Sequence, residues 1–397
     1  IMIKDVLKRV IPQEERTKLV RVVKKITSGK KSENYWVPHT DICLNSHDTF
    51  FGYYDINPFR GEQLLCNRLM DNGVMENIVR EKDGAERVIG TTKAWCWQQG
   101  CRLRWFPETD NPTVCFNAID NNRYFTQIID LSTGIKRRIN QPIYDINPQG
   151  KYGAGLDFVR LGYFRAGYGY TNLPFEQETD LSKEGIDLID MVSGDSVRIV
   201  TYEDIAACME KNIDFGEYYL NHLSFDPTGN NLMFFFIHKG KIHQASLFVY
   251  QIKEKKLIPL ELENSVSHYC WINDRKLLVT AYDSSRTCRY YIYALDGKKD
   301  VFMPERMKVD GHPTWVNETC IITDTYPDSN GFQKLLKVNP VTKQVNVLAE
   351  LYTTEKCIGE KRTDLHPRVD VASGKVCIDS NVKGKRKMVV LEVDLFE

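Results

Sequence analysis

With 397 residues, 42% of them hydrophobic, the chain can bury a substantial core, and its 53 Lys and Arg balance 53 Asp and Glu. A net charge of zero excludes a global field that would gather nucleic acid or another polyanion, so anion recognition has to be local. Eleven cysteines without a CxxC pair exclude a cysteine zinc site of ordinary spacing; with no secretory leader in evidence, they are expected to be reduced thiols of a cytoplasmic protein.

In chain order, residues 1–34 read first, as a basic helical arm. The first 31 residues hold ten Lys and Arg against Asp5, Glu14 and Glu15, and Ile, Leu and Val recur at helical spacing on both sides of Pro12. The plainer expectation is a solvated arm packed on the body, the sharper one a protein or inner-membrane-surface contact through residues 2–27. No stretch is long and apolar enough to span a bilayer.

Residues 35–397 contain seven copies of one strand, turn, strand unit. They begin near "GYYDINPFRGEQLLCNRL" at 52, "CRLRWFPETDNPTVCFNAID" at 101, "PIYDINPQGKYGAGLDF" at 142, "NHLSFDPTGNNLMFFFIH" at 221, "SHYCWINDRKLLVTAYD" at 267, "DGHPTWVNETCIITDTYPD" at 310 and "LHPRVDVASGKVCIDSNV" at 365. One frame position falls on Tyr53, Arg102, Ile143, His222, His268, His312 and His366, at spacings of 49, 41, 79, 46, 44 and 54 residues. Most of these match a four-stranded blade, so the fold class is all-β, a seven-bladed β-propeller with a short N-terminal helical arm. Little sequence follows the last copy, so a strand from residues 35–44 is expected to complete blade seven. The long spacing places an insertion, residues 160–184, between the second and third strands of blade three, on the face where first strands enter.

Four of the eight histidines share the frame position, and first strands line the central channel, so His222, His268, His312 and His366 should converge there. Gathered imidazoles suit a divalent metal, or acid and base work near neutral pH. The bland alternative is a blade-packing role of the kind a Gly-His pair has in WD-repeat propellers. Arg102, Arg104, Arg160, Arg165, Arg362 and Arg368 bring cations to the same mouth, suited to carboxylates. Tyr53, Tyr54, Tyr168, Tyr170, Trp95 and Trp97 offer flat faces for pyranose rings. Asp310, Asp324 and Asp364 are the carboxylates near the frame.

The strings "HDTFFGYYD" (47–55), "RAGYGY" (165–170), "NHLSF" (221–225), "DGHPTW" with "TDTYPD" (310–328) and "DLHPR" (364–368) resemble a bacterial propeller family related to oligogalacturonate lyase and the propeller-type ulvan lyases, with members in polysaccharide gene clusters. The resemblance implies a polysaccharide or oligosaccharide lyase that cleaves a uronate-containing glycan by β-elimination, with an acidic glycan as partner. It implies His222, His268, Tyr168 and Arg165 as catalytic residues, and His47, Tyr53, Arg102, Arg160, Tyr170 and Arg368 as substrate-binding. It also implies a divalent cation, Mn, Ca or Zn, on His268, His312 and His366. Without metal, the cluster is expected to be partly protonated near neutral pH and to bind anions. Two other readings stay open: a non-catalytic glycan- or protein-binding propeller in capsule or O-antigen biosynthesis, and a glycosyl transferase or hydrolase on the same scaffold.

Overall fold

The computed structural model describes residues 32–43, 47–178, 180–209, 215–240, 243–354 and 358–396. The chain enters through β1 (Glu33–Tyr35) and β2 (His39–Ile42) and then lays down seven antiparallel sheets in sequence. Blade one holds β3 (Asp48–Phe50), β4 (Phe59–Arg60), β5 (Gln63–Leu69), β6 (Met75–Arg80) and β7 (Glu86–Thr92), its inner strand broken between β3 and β4. Blade two is β8 to β11 (Arg104–Trp105, Thr113–Asp120, Arg123–Asp130, Lys136–Ile139) and blade three β12 to β15 (Asp145–Ile146, Tyr152–Gly155, Gly185–Asp190, Ser196–Thr201). Blade four is β16 to β19 (Tyr218–Phe225, Asn231–His238, Gln244–Gln251, Lys256–Glu261) and blade five β20 to β23 (Ser265–Asn273, Lys276–Tyr282, Cys288–Ala294, Lys299–Phe302). Blade six is β24 to β27 (Thr314–Asn317, Cys320–Asp324, Phe332–Val338, Val345–Tyr352), and blade seven β28 to β30 (Arg368–Asp370, Lys375–Ser380, Lys387–Glu392).

Residues 39–42 complete blade seven: β2 pairs with β30, His39 opposite Leu391 and Ile42 opposite Met388. The first strand does something the repeat did not announce. β1 pairs with β27, Glu33 opposite Leu351, and adds a fifth strand to blade six. The helical arm expected over residues 1–34 lies outside the described residues except at its end, where Glu33 and Asn34 are strand. The propeller therefore begins at least two residues earlier than expected.

Second strands are buried on both faces, which is why they read as continuous apolar runs: in β17, "NLMFFFIH", every residue but the last is buried. Their aromatics fill the space between blades, with Phe234 and Phe248 stacked at 5.5 Å. Truncating such a side chain to Ala costs about 3–5 kcal/mol. The ten described cysteines are free, and Cys320 and Cys377 are core residues as expected while Cys270 is half-buried. Among the described residues two short α-helices interrupt the strands, α1 (Phe158–Phe164) at the blade-three insertion and α2 (Tyr202–Met209) after blade three. Among the described residues no helix is long and apolar enough to cross a membrane.

Candidate metal centre and channel mouth

Inner strands bend where the frame residue falls. The β16–β17 register slips between Asn221 and Ser224, and His222 there adopts φ 58°. The β20–β21 register slips between Val266 and Tyr269, around His268. His366, just before β28, has φ 47°. A bulge re-aims the residue it carries, and left-handed backbone in a non-glycine residue costs about 1–3 kcal/mol, a strain that surrounding structure must hold in place. Here it turns imidazoles into the channel.

The four histidines do meet, and all are buried. Ring centroids of His268 and His312 are 4.0 Å apart and those of His312 and His366 4.5 Å. Tyr53 joins them, stacked on His222 at 5.0 Å and edge-on to His366 at 4.7 Å.

Hydrogen bonds fix how three of these rings present themselves. His312 lies with Nδ1 2.8 Å from Asp324 Oδ1, whose carboxylate also accepts the His312 and His366 amides. His268 Nδ1 is 2.9 Å from Asp310 Oδ1, and Ser267, Thr280 and Tyr282 hydroxyls donate to the same carboxylate. His366 Nδ1 is 3.1 Å from the Gly52 carbonyl. Carboxylates and carbonyls only accept, so each Nδ1 carries a proton, and in the neutral form of each ring Nε2 keeps its lone pair. The Nε2 atoms of His312 and His366 are buried with no hydrogen-bond partner. That of His268 faces the Tyr326 hydroxyl at 3.3 Å.

Gly52 is needed for this arrangement. Its φ is 143°, and a Cβ there would meet the Gln99 carbonyl at 2.9 Å.

His222 is held the other way round. Asn221 Oδ1 lies 3.1 Å from both Gln99 Nε2 and the Tyr144 hydroxyl, so its amide nitrogen must be the atom 3.1 Å from His222 Nε2. Nε2 then accepts, and the proton sits on Nδ1, which is buried and has no partner. This neutral His222 offers a donor.

Burial, first of all, and the neighbouring histidines and arginines keep His222 and His366 well below the ordinary imidazole value; His268 is also lowered, by burial and His312. Burial thus disfavours the charged form of His222, His268 and His366, against the expectation of a partly protonated ring. Burial opposes ionisation of Asp310 and Asp364 too, yet His268 and the hydroxyls hold Asp310 far below the carboxylate range, and Arg362 lowers Asp364.

Asp364, expected as one of three carboxylates near the frame and not as a metal ligand, completes the geometry. Ligand atoms of His312, Asp364 and His366 lie within 4.8 Å of one another, with Asp364 Oδ2 3.9 Å from His366 Nε2. His268, expected as the third ligand, is not one of this group. The donor set fits a divalent cation: two lone pairs on imidazoles oriented by acceptors behind them, and a carboxylate. The same Asp364 Oδ2 accepts from Arg362 Nε at 2.8 Å, which holds the carboxylate in place.

Beside the centre, a narrow cavity of about 60 Å3 is lined by Arg165, Tyr168, His222, His243, His268 and Tyr326, among others. The insertion reaches it as expected. Tyr168 lies 6.1 Å from the His222 ring and accepts a hydrogen bond from Arg362 at 2.9 Å, and the Arg165 guanidinium sits 5.1 Å from the Tyr168 ring centre. Tyr326 and His243 were not anticipated; the string "TDTYPD" contained the first, and the second lies off the frame.

Five residues expected at the substrate are placed elsewhere or engaged. Arg102 forms a buried ion pair with Asp55 at 2.8 Å, and Arg368 grips Asp379 with two nitrogens at 2.9 and 3.1 Å. Arg160 donates to the Tyr218 carbonyl and packs over Phe164 and Tyr202. Tyr170 stacks on Phe158 at 4.5 Å and accepts from Asn117. His47 stands near Asp71 at 3.8 Å. A guanidinium out of water must be paired, which is why buried arginines became struts.

No family model and no curated protein matches this sequence. Among solved structures, oligogalacturonate lyase from Vibrio parahaemolyticus superposes with a TM-score of 0.64 at 13% identity, covering 92% of this chain and 97% of that one. An oligogalacturonate lyase in complex with manganese gives the same score and identity, with 92% and 99% covered. The tricorn protease matches at 0.56 and 12% identity, over 88% of this chain and 34% of that one. At such identities the likeness is one of fold, and it places this chain among seven-bladed propellers whose structural neighbours include oligogalacturonate lyase.

Proposed function

We propose that the chain is a β-eliminating lyase for a uronate-containing oligosaccharide, working with a divalent cation, manganese first, held by His312, His366 and Asp364. The observation that carries this reading is the pair of buried, partnerless Nε2 lone pairs of His312 and His366 beside Asp364. The manganese complex among the structural neighbours supports the choice of ion. The cation would draw electron density from the substrate carboxylate and so acidify the neighbouring C5 proton.

The protein's own groups supply the rest. Arg165, at the cavity beside Tyr168, adds positive charge for the carboxylate. His268, whose Nε2 lone pair is aimed by Asp310, takes the C5 proton. Tyr168 accepts from Arg362, leaving its own hydroxyl proton for the departing oxygen, and His222 donates Nδ1–H to developing negative charge. Asp310, Asp324 and Asp364 are each engaged by imidazole, hydroxyl, amide or guanidinium groups, which favours elimination over hydrolysis by a carboxylate pair.

The test is to incubate the manganese-loaded protein with oligomers of galacturonate, glucuronate and mannuronate and follow the ultraviolet absorbance of an unsaturated uronate. Product that disappears with chelator is expected. Stoichiometric manganese binding without product from any glycan would overturn the reading.

A further inference from the structure

The cavity at the channel end, at about 60 Å3, takes an ion or a carboxylate but no sugar ring. A larger groove of about 340 Å3 opens on the same face, lined among others by Asn72, Lys93, Trp95, Trp97 and Glu360. Its parts come from the loop between β5 and β6, the blade one to two connection, the blade-three insertion and the blade six to seven connection. We propose that this groove is a second glycan subsite, seating a further pyranose of an acidic oligosaccharide whose reacting unit lies at the metal centre. The inference rests on the function proposed above and extends it to substrate length.

The walls have the chemistry of a sugar site. Trp95 and Trp97 are half-buried and meet at 83° with centroids 5.2 Å apart, forming an aromatic corner. Trp95 is anchored by its Nε1–H on the Gly73 carbonyl at 2.9 Å, and Trp97 stacks on Phe50 at 5.8 Å. Aromatic faces set among amides and hydroxyls suit a ring with apolar C–H faces and polar edges. Lys93 is exposed at the rim, and Lys361 Nζ lies 5.5 Å from the Trp97 ring, so an ammonium group is within reach of a uronate carboxylate seated on the tryptophans.

The groove is preformed and adjoins the centre. Gln98 donates through its backbone to the Gly167 carbonyl and through its side chain to the Glu360 and Arg362 carbonyls, each at 2.9 Å. Gly167 and Gly169 line the groove, while Tyr168 between them lines the central cavity. One turn of backbone separates the two, so a glycan chain crossing it reaches both.

The experiment compares binding of monomeric galacturonate and a galacturonate tetramer to the manganese-loaded protein by calorimetry, in wild type, Trp95→Ala, Trp95→Phe and Lys93→Ala. Expected is tighter binding of the tetramer by wild type and a loss of roughly three- to tenfold for the tetramer alone in Trp95→Ala, the size of one aromatic contact. Trp95→Phe should recover most of it, and Lys93→Ala, at an exposed position, gives the charge effect even if Trp95→Ala folds poorly. Manganese affinity should not move. Equal losses for monomer and tetramer, an unchanged tetramer affinity in folded Trp95→Ala and Lys93→Ala, or no tetramer binding by wild type would overturn the subsite. A length-dependent loss without any unsaturated product would keep the subsite and remove the lyase; product formed with wild-type KM by Trp95→Ala would do the reverse.

Discussion

Blade two and blade six carry different residues at the same frame position, and they show two ways to place a polar group at a channel. Arg102 in blade two is buried and closed off: Asp55, the Tyr144 carbonyl and the Tyr144 ring take its guanidinium from three sides. His312 in blade six is as deeply buried, yet only half engaged, with Nδ1 on Asp324 and Nε2 open. A guanidinium has only donors and keeps its charge, so the interior must neutralise it completely. An imidazole can go in neutral, fixed by one nitrogen and available through the other. At this depth arginine is spent on its partners, while histidine keeps one nitrogen free.

The comparison breaks most visibly if a buried arginine proves dispensable to the fold. Arg368→Ala leaves Asp379 charged and unpaired, and chemical denaturation should show a loss of about 3–5 kcal/mol. Near-native stability with lost glycan binding would return Arg368 to the substrate side. On the histidine side, His312→Gln should weaken manganese binding by about 100-fold or more, read by calorimetry, with a stability change of only about 1–3 kcal/mol. Large destabilisation with intact metal binding would make His312 a packing residue after all.

A finer cut separates ligand from base within the cluster. If His268 removes the proton while His312, His366 and Asp364 hold the ion, Asp310→Asn should lower kcat by about 100-fold and manganese affinity by less than about tenfold. The opposite pattern would put His268 on the metal.

Glu184, next to α1, gives a smaller, pH-dependent effect. Burial first, then Asp157, pushes its carboxyl up to about 7 from 4.5, despite Arg160 3.9 Å away. The folded state thus binds the proton more tightly than the unfolded one. That stabilisation is complete below about pH 4.5 and fades as pH rises through 7. Melting temperatures of the wild type should fall across that window, and those of Glu184→Gln should fall less. The least effect belongs to removal of residues 2–27: β1 and β2 lie beyond them, so unfolding should stay cooperative.

The ring and its histidine frame were legible because each blade repeats a local pattern, a strand, a turn and a buried second strand, within a span that periodicity can register. The partners were not. Asp310 precedes blade six but orients His268 of blade five, and Asp324 ends β25 while serving both His312 and His366. The Asp310–His268 and Asp324–His366 pairings run between blades, and no spacing within one repeat encodes them. Arg160 and Tyr170 misled for a related reason: their types suit a sugar, while the fold of the insertion turns them inward onto the Tyr218 carbonyl and Phe158. Burial in a 25-residue insertion has no period to read.

β1 and β2, made early, pair with strands of blades six and seven that are made late. β1 lies on blade six and β2 on blade seven, so His39 waits for Leu391, some 350 residues later. At about 5–20 residues per second of synthesis, that delay is on the order of 20–70 s. Until then blade seven lacks its outer strand and the newborn chain carries two unpaired edges that can pair with each other only across the finished circle. Closure is thus a clock as well as a clasp: His366 and Asp364 of the candidate metal centre are made only toward the end of that interval, just before the strands that β2 completes.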